Sequence, residues 1–327
     1  MAAPKKIKGI ECDEAAGAGI RTALTERFDE MQALRHKALK WKDPEGVHSM
    51  RVASRRLRSA LGDFTPYLGK RRLSPALKEI RTIAGALGEV RDQDVALMAL
   101  EELRDKAPDE LSKTLHEFID ARKQVRDGAR AELEKILVKA RLDNLKTHFC
   151  KALDVATDGT APSAAAQISF VDMARTIIQD RLTDLEKLSM SFYRPTQPTQ
   201  LHEMRIAAKR LRYSIELFEA CWGSRIAKFA KQIARLQTAL GTVHDCDVWI
   251  ESFRKEAAES RRVQDRERIK TFNWLFTHFN HLRYKQLTEA FLLWTTWEAD
   301  DARGELLEAL KNSHKKAQNA HNDSQLA

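Results

Sequence analysis

The sequence predicts an all-α protein built as two like helical bundles, and three observations carry that prediction. Helical periodicity runs through nearly all of the 327 residues, while strand signals are weak. A cationic stretch at His48–Arg58, HSMRVASRRLR, returns 154 positions later at His202–Arg212 as HEMRIAAKRLR. Between the copies, Thr157–Gln167 (TDGTAPSAAAQ) has the Gly, Pro, Ser and Ala content of a linker.

Taken in order, residues 1–18 are expected to be disordered. The first bundle, 19–156, is predicted as helices at Ile20–Lys40, Gly46–Leu68, Pro75–Leu87, Asp94–Asp105, Asp109–Val138 and Arg141–Asp154. After the 157–167 linker, the second bundle, 168–313, repeats the set at Phe170–Ser189, Leu201–Trp222, Ile226–Leu240 and Asp247–Glu259, then continues in long helices. A disordered tail, 314–327, closes the chain.

The duplication extends beyond the cationic stretch. Upstream, Arg27 and Arg181 keep the 154-residue offset, as do Leu24/Ile178, Phe28/Leu182 and Leu34/Leu188. Downstream the offset becomes 153, where LGEVRDQDV (Leu87–Val95) matches LGTVHDCDV (Leu240–Val248) and Lys78 lies opposite Lys231. A unit of about 150 residues indicates two like subdomains, whereas solenoids repeat every 20–50 residues. Met1–Thr160 carries 31 Lys+Arg against 26 Asp+Glu and the remainder 25 against 21, so the excess of positive charge is shared by both halves.

On a helix turning about 100° per residue, His48, Arg51, Arg55 and Arg58 fall within an arc of roughly 80°, and Met50, Ala53, Leu57, Leu61 and Phe64 gather on the other side. His202, Arg205, Lys209 and Arg212 repeat the row, with Met204, Ala207, Leu211, Ile215 and Phe218 beneath it. A solvated cationic row normally carries acids three or four residues away. Val47–Gly62 contains no Asp or Glu, and the second copy has only Glu203, about 100° from its row. The row is also retained in both copies while the sequence around it has drifted, so an anion site is favoured over a solvated face.

These segments resemble the CHAD family, the conserved histidine α-helical domain, whose hallmark is a helix reading approximately HxxRxxxKRxR in each of two halves. The likeness covers roughly Gly19–Ser313. It implies two bundles related by a pseudo-twofold axis, with the basic helices lining a central channel or cavity, and inorganic polyphosphate or polyphosphate granules as the partner. The polyphosphate-binding set it implies is His48, Arg51, Arg55, Arg56 and Arg58, then His202, Arg205, Lys209, Arg210 and Arg212, flanked by Arg27, Arg181, Lys78 and Lys231. Many family members carry a triphosphate-tunnel domain with an ExExK motif; Glu132-Leu133-Glu134-Lys135 has the wrong spacing, so the expectation is a stand-alone CHAD protein without catalysis.

Net charge of +9 and a pI near 9.3 favour a polyanionic partner without naming it, which keeps nucleic acid as the second choice. Cys12, Cys150, Cys221 and Cys246 are scattered without a CxxC pair and no apolar signal segment opens the chain, so a reduced, cytoplasmic protein is expected. Nothing approaches the 18 or more apolar residues of a membrane span. The pairs Asp92/Asp94 and Asp245/Asp247 could hold a divalent cation, but each follows a Gly and precedes an apolar helical run, which favours helix N-capping. His48 and His202 lack Cys, Asp or a second His at ligand spacing, so no metal or other cofactor is expected there. Acting as a phosphohistidine, as the nucleophile of an enzyme on phosphoanhydrides, or as a buried hydrogen-bonded ring are the other roles open to them. Trp274, Phe276, Phe279, Phe291, Trp294 and Trp297 have the spacing of core residues and no basic interleaving, so a base-stacking platform is not expected.

Overall fold

The computed structural model describes residues 5–68, 70–157 and 167–311. The helices are α1 (Ala16–Ala33), α2 (Arg35–Ala38), α3 (Pro44–Leu68), α4 (Lys70–Arg104), α5 (Ser112–Ile136), α6 (Lys139–Thr157), α7 (Phe170–Glu186), α8 (Pro198–Leu217), α9 (Glu219–Trp222), α10 (Ser224–Arg262), α11 (Arg266–Ala299) and α12 (Ala302–Ala309). No strand occurs among the described residues; one isolated bridge pairs Ala15 with Ser169. The all-α class is what the periodicity predicted.

The chain divides into two compact units. The first comprises 1–105 and 117–174, and the second 106–116 and 175–327, so the division does not follow a single cut through the linker. Residues 158–166 and 312–327 lie outside the described residues, as do 1–4. Residues 5–18, expected from composition to be disordered, are instead tied down. The amides of Ala16, Phe170 and Val171 donate to the carbonyls of Ile168, Glu14 and Cys12, and α1 already begins at Ala16.

In the first unit α3 packs against α1, α2 and α4, and α6 packs against α1 and α4. The apolar face of α3 is the one read from the sequence: Met50, Ala53, Leu57, Leu61 and Phe64 are all buried. Gly46 lets the first turn of α3, which begins at Pro44, come close to α2, because a Cβ at that position would collide with the Lys37 carbonyl. That close approach seats the first turn of α3 against α2, and His48 follows one half-turn later. In the second unit α8 and α11 both pack on the long α10. Met204, Ala207, Leu211, Ile215 and Phe218 are buried there as the periodicity requires. Phe279, Trp294 and Trp297 are core residues, and Trp249 stacks with Phe253 at 5.0 Å and with Phe279 at 5.4 Å. Half of the late aromatic run therefore packs the bundle, while Trp274, Phe276 and Phe291 are half-buried.

Two predicted breaks do not exist. α4 runs unbroken from Lys70 to Arg104 and α10 from Ser224 to Arg262, so each absorbs two predicted helices and the glycine between them. A glycine in a helix interior costs roughly 1 kcal/mol. Buried Leu87, Val90 and Leu97, and Leu240, Val243 and Ile250 in the second copy, outweigh it by packing on both sides of the glycine. The Asp pairs are thus mid-helical and cannot be N-caps.

Candidate functional site

Each unit presents one basic helix beside one long helix. In the first, α3 carries His48, Arg51, Arg55 and the exposed Arg58, and α4 brings further cations alongside. Arg91 lies close enough to His48, and Arg81 to Arg58, to perturb both electrostatically. Partial burial, then Arg91, then Arg55 and Arg51, push the His48 imidazole below its usual value, with Glu45 opposing. Burial and then the charges of Arg81 and Arg55 lower Arg58 from the ordinary arginine value. Burial leads both shifts, and the neighbouring positive charges add to it in each case. Asp92 reaches the row from across the helix pair, its Oδ1 accepting from Arg51 at 3.2 Å.

The second member of each Asp pair does a different job. Asp94, almost fully buried, pairs with Arg130 of α5 at 3.3 Å, and Asp247 pairs with Arg283 of α11 at 2.6 Å. Arg283 also donates to the Pro195 carbonyl at 2.7 Å. Arg130 and Arg283 stand at the same 153-residue offset as the Asp pairs, a correspondence that was legible in the sequence but passed over. Burial raises the Asp94 carboxyl from its ordinary value against the pull of Arg130, Arg126 and Arg91. These buttresses hold α4 against α5 and α10 against α11, and so set where the basic helices can lie.

In the second unit the row begins with His202, whose Nδ1 lies 3.0 Å from Nδ1 of His244 on α10. Arg205 continues it, and a Cβ built on Gly241 would stand 3.7 Å from its Nε, as one on Gly88 would stand 3.9 Å from Arg51 Nε. Glycine in the LGxVxDxDV motif therefore leaves the guanidinium room to lie across the neighbouring helix. Lys78 and Lys231 are exposed on α4 and α10, and Arg210 is exposed on α8.

Three of the expected ligand residues are not placed to meet a ligand. Arg27 and Arg56 are buried and share Glu30, at 2.6 Å and 3.5 Å, and Arg27 also donates to the Lys5 carbonyl at 3.0 Å. Arg212 is buried and donates to Glu216 at 2.7 Å and to Gln237 at 3.1 Å. The helical arc placed Arg212 on the row, but at the end of α8 the long side chain turns inward to these two acceptors. Arg181 is half-buried and paired with Asp184 at 3.3 Å. Sequence reasoning missed Arg81, Arg91 and His244; Arg81 could have been found one turn beyond Lys78, and Arg91 and His244 as matched positions of the LGxVxDxDV repeat.

A helical bundle with a basic helix of the HxxRxxxKRxR pattern in each unit defines the class of protein, and the CHAD domain family model matches residues 22–254. The chain belongs to the CHAD domain family. Its fold is similar to the crystal structure of the CHAD domain from the plant Ricinus communis, with a TM-score of 0.68 at 22% identity over 96% of this chain and 99% of that one. It is also similar to PptA from Streptomyces chartreusis, with a TM-score of 0.62 at 16% identity over 86% of this chain and 100% of that one. Uncharacterized proteins from two strains of Mycobacterium tuberculosis are 26% identical over 235 residues, covering 69% of this chain but 43% of theirs, so the chain spans less than half the length of those relatives. No described helix is long and apolar enough to cross a membrane.

Proposed function

We propose that this protein binds inorganic polyphosphate through its paired basic helices, without turning it over, and that it does so on polyphosphate granules. Cys12 and Cys221 are disulfide-bonded, against the reduced state expected from their spacing, so the cysteines do not argue for the cytoplasm. The observation that carries the reading is the crowding of like charge on α3 and α4. His48, Arg51, Arg55 and Arg58 share a surface with Arg81 and Arg91, and the positive charges that, after burial, lower His48 and Arg58 support a surface suited to an anion. Family membership supports the same partner.

Polyphosphate is a flexible chain with about one negative charge per phosphate and no bases to read, so its binder needs fixed cations at repeat spacing. Positions i, i+3, i+7 and i+10 of a helix advance roughly 15 Å along one face. Arginine adds planar, bidentate donors for phosphate oxygens. Counterion release then supplies much of the free energy and makes affinity fall linearly with the logarithm of salt concentration.

The test is a set of isotherms with polyphosphates of defined length at several salt concentrations. Affinity rises with length until the track is filled; orthophosphate binding as tightly as a long chain refutes the proposal. Competition by DNA or RNA at equal charge and salt would instead identify a general nucleic-acid binder, and phosphate release with Mg²⁺ or Mn²⁺ would identify an enzyme. Replacing Arg51, Arg55 and Arg58 by Gln, or Arg205, Lys209 and Arg210 by Gln, reads whether both rows act on one polymer: each triple variant then loses most of the affinity.

A further inference from the structure

We propose that His244 is a second imidazole of the anion site in the second unit, and that His202 and His244 act as a pair that takes up one proton, and only one, when phosphate settles on α8. The inference rests on the polyphosphate reading above and specifies how one of its two basic helices is regulated.

The geometry is that of a shared hydrogen. The two Nδ1 atoms are 3.0 Å apart and the ring centroids 4.1 Å apart, with the planes inclined by 42°. At that separation one Nδ1 carries the hydrogen and the other accepts it. In the neutral pair the donor ring therefore has a lone pair on Nε2 and the acceptor ring an Nε2–H, leaving one outward donor. A proton added at the donor ring's Nε2 makes both Nε2 atoms donors, gives the pair one positive charge and strengthens the Nδ1–H···Nδ1 bond, now donated by an imidazolium. A second proton would have to enter between the two Nδ1 atoms, break that bond and place two cations in contact. The pair thus has one proton to gain.

Its surroundings hold that proton off until an anion arrives. Arg205, Lys209 and Glu203, all from α8, act on the two rings, and Asp245 follows His244 directly on α10. On α11, which packs against α10, Arg283 is neutralised by Asp247. Burial, then His202 and Arg205, push His244 down to about 4, and burial, Arg205 and Lys209 lower His202. A phosphate against Arg205 and Lys209 reverses the sign of the local charge and favours the protonated pair. The first unit contrasts with this, because the residue matched to His244 is Arg91, which is permanently charged. One basic helix is then constitutively ready for phosphate, whereas the other is completed by protonation.

Calorimetric titration of the full chain with polyphosphate of defined length, in buffers of different ionisation enthalpy near pH 6, counts the protons taken up. Wild type is expected to take up one more proton per complex than His244→Arg, which installs the residue found in the other unit. Correspondingly, wild-type affinity gains up to about tenfold per pH unit more than the variant on acidification within the titration window. The double variant His202→Gln/His244→Gln should lose the extra proton as well, guarding against any local effect of the arginine. Proton uptake and pH slope unchanged in both variants overturn the proposal. If polyphosphate does not bind any of the proteins, the binding reading fails, and NMR titration of the histidines in the free chain still decides the pair. A single proton shared by the two rings is expected there, and two independent steps near 6.5 refute it.

Discussion

Glu30→Gln is the variant that most directly separates structural from functional arginines. Glu30 accepts from Arg27 at 2.6 Å and from Arg56 at 3.5 Å, and its side chain is only 12% exposed. At an effective dielectric constant near 20 the two attractions amount to about 6 and 5 kcal/mol, most of it offset by the desolvation of three charges. Removing the negative charge leaves that desolvation in place, with two guanidinium groups repelling across a neutral amide, which costs about 3–5 kcal/mol. For a unit of this size that corresponds to a fall in Tm of about 6–20 °C. Differential scanning calorimetry of wild type and variant measures it, and polyphosphate isotherms well below the transition supply the control. The expected outcome is a large loss of stability with affinity nearly intact. A stability change under about 1 kcal/mol accompanied by weakened binding would refute the argument and return Arg27 and Arg56 to the ligand set.

Asp92→Ala removes the acid that pairs with Arg51 and should raise polyphosphate affinity by up to about fivefold, the worth of an exposed pair; equal or weaker binding in an isotherm contradicts this. Gly88→Ala places its Cβ in ordinary contact with Arg51 Nε and should stabilise α4 by about 0.5–1 kcal/mol in urea titrations, whereas Gly88→Leu displaces the guanidinium and weakens binding. Because His244 is held at about 4, the unfolded chain binds the extra proton first. Its contribution to stability is complete above about pH 6.5 and is lost as pH falls towards 4, so His244→Gln should flatten that part of the stability profile measured by denaturant unfolding.

The class of the fold was legible because burial obeys period: every apolar residue assigned beneath the two basic rows is in the core. The limits of the elements were less so. Gly88 and Gly241, each followed by an acidic pair, have the appearance of a helix stop and a fresh N-cap, and only the packing on both sides shows that the helix continues. Side-chain direction was hidden for a related reason. A helical wheel places Cβ atoms, but a guanidinium reaches several ångströms beyond its Cβ, so Arg212 could turn inward to Glu216 and Gln237. Arg56 was set apart by Glu30, 26 residues earlier in the chain, at a distance no local pattern spans.

Continuity of α4 and α10 also makes the site sensitive to phase. In a loop, an inserted residue between the glycine and the second aspartate would be absorbed by a small change of path. In an unbroken helix it rotates everything downstream by about 100° and advances it by about 1.5 Å. Asp94 would then swing away from Arg130, or Asp247 from Arg283, while the residues ahead of the insertion kept their places. Arg51 and Asp92 would likewise lose their alignment across the helix pair. The seven residues from Gly88 to Asp94, and from Gly241 to Asp247, therefore act as a fixed-length spacer between the room left for a cation and the anchor that holds its helix. Side chains that the site does not use can change within that spacer, whereas a change in its length breaks the register.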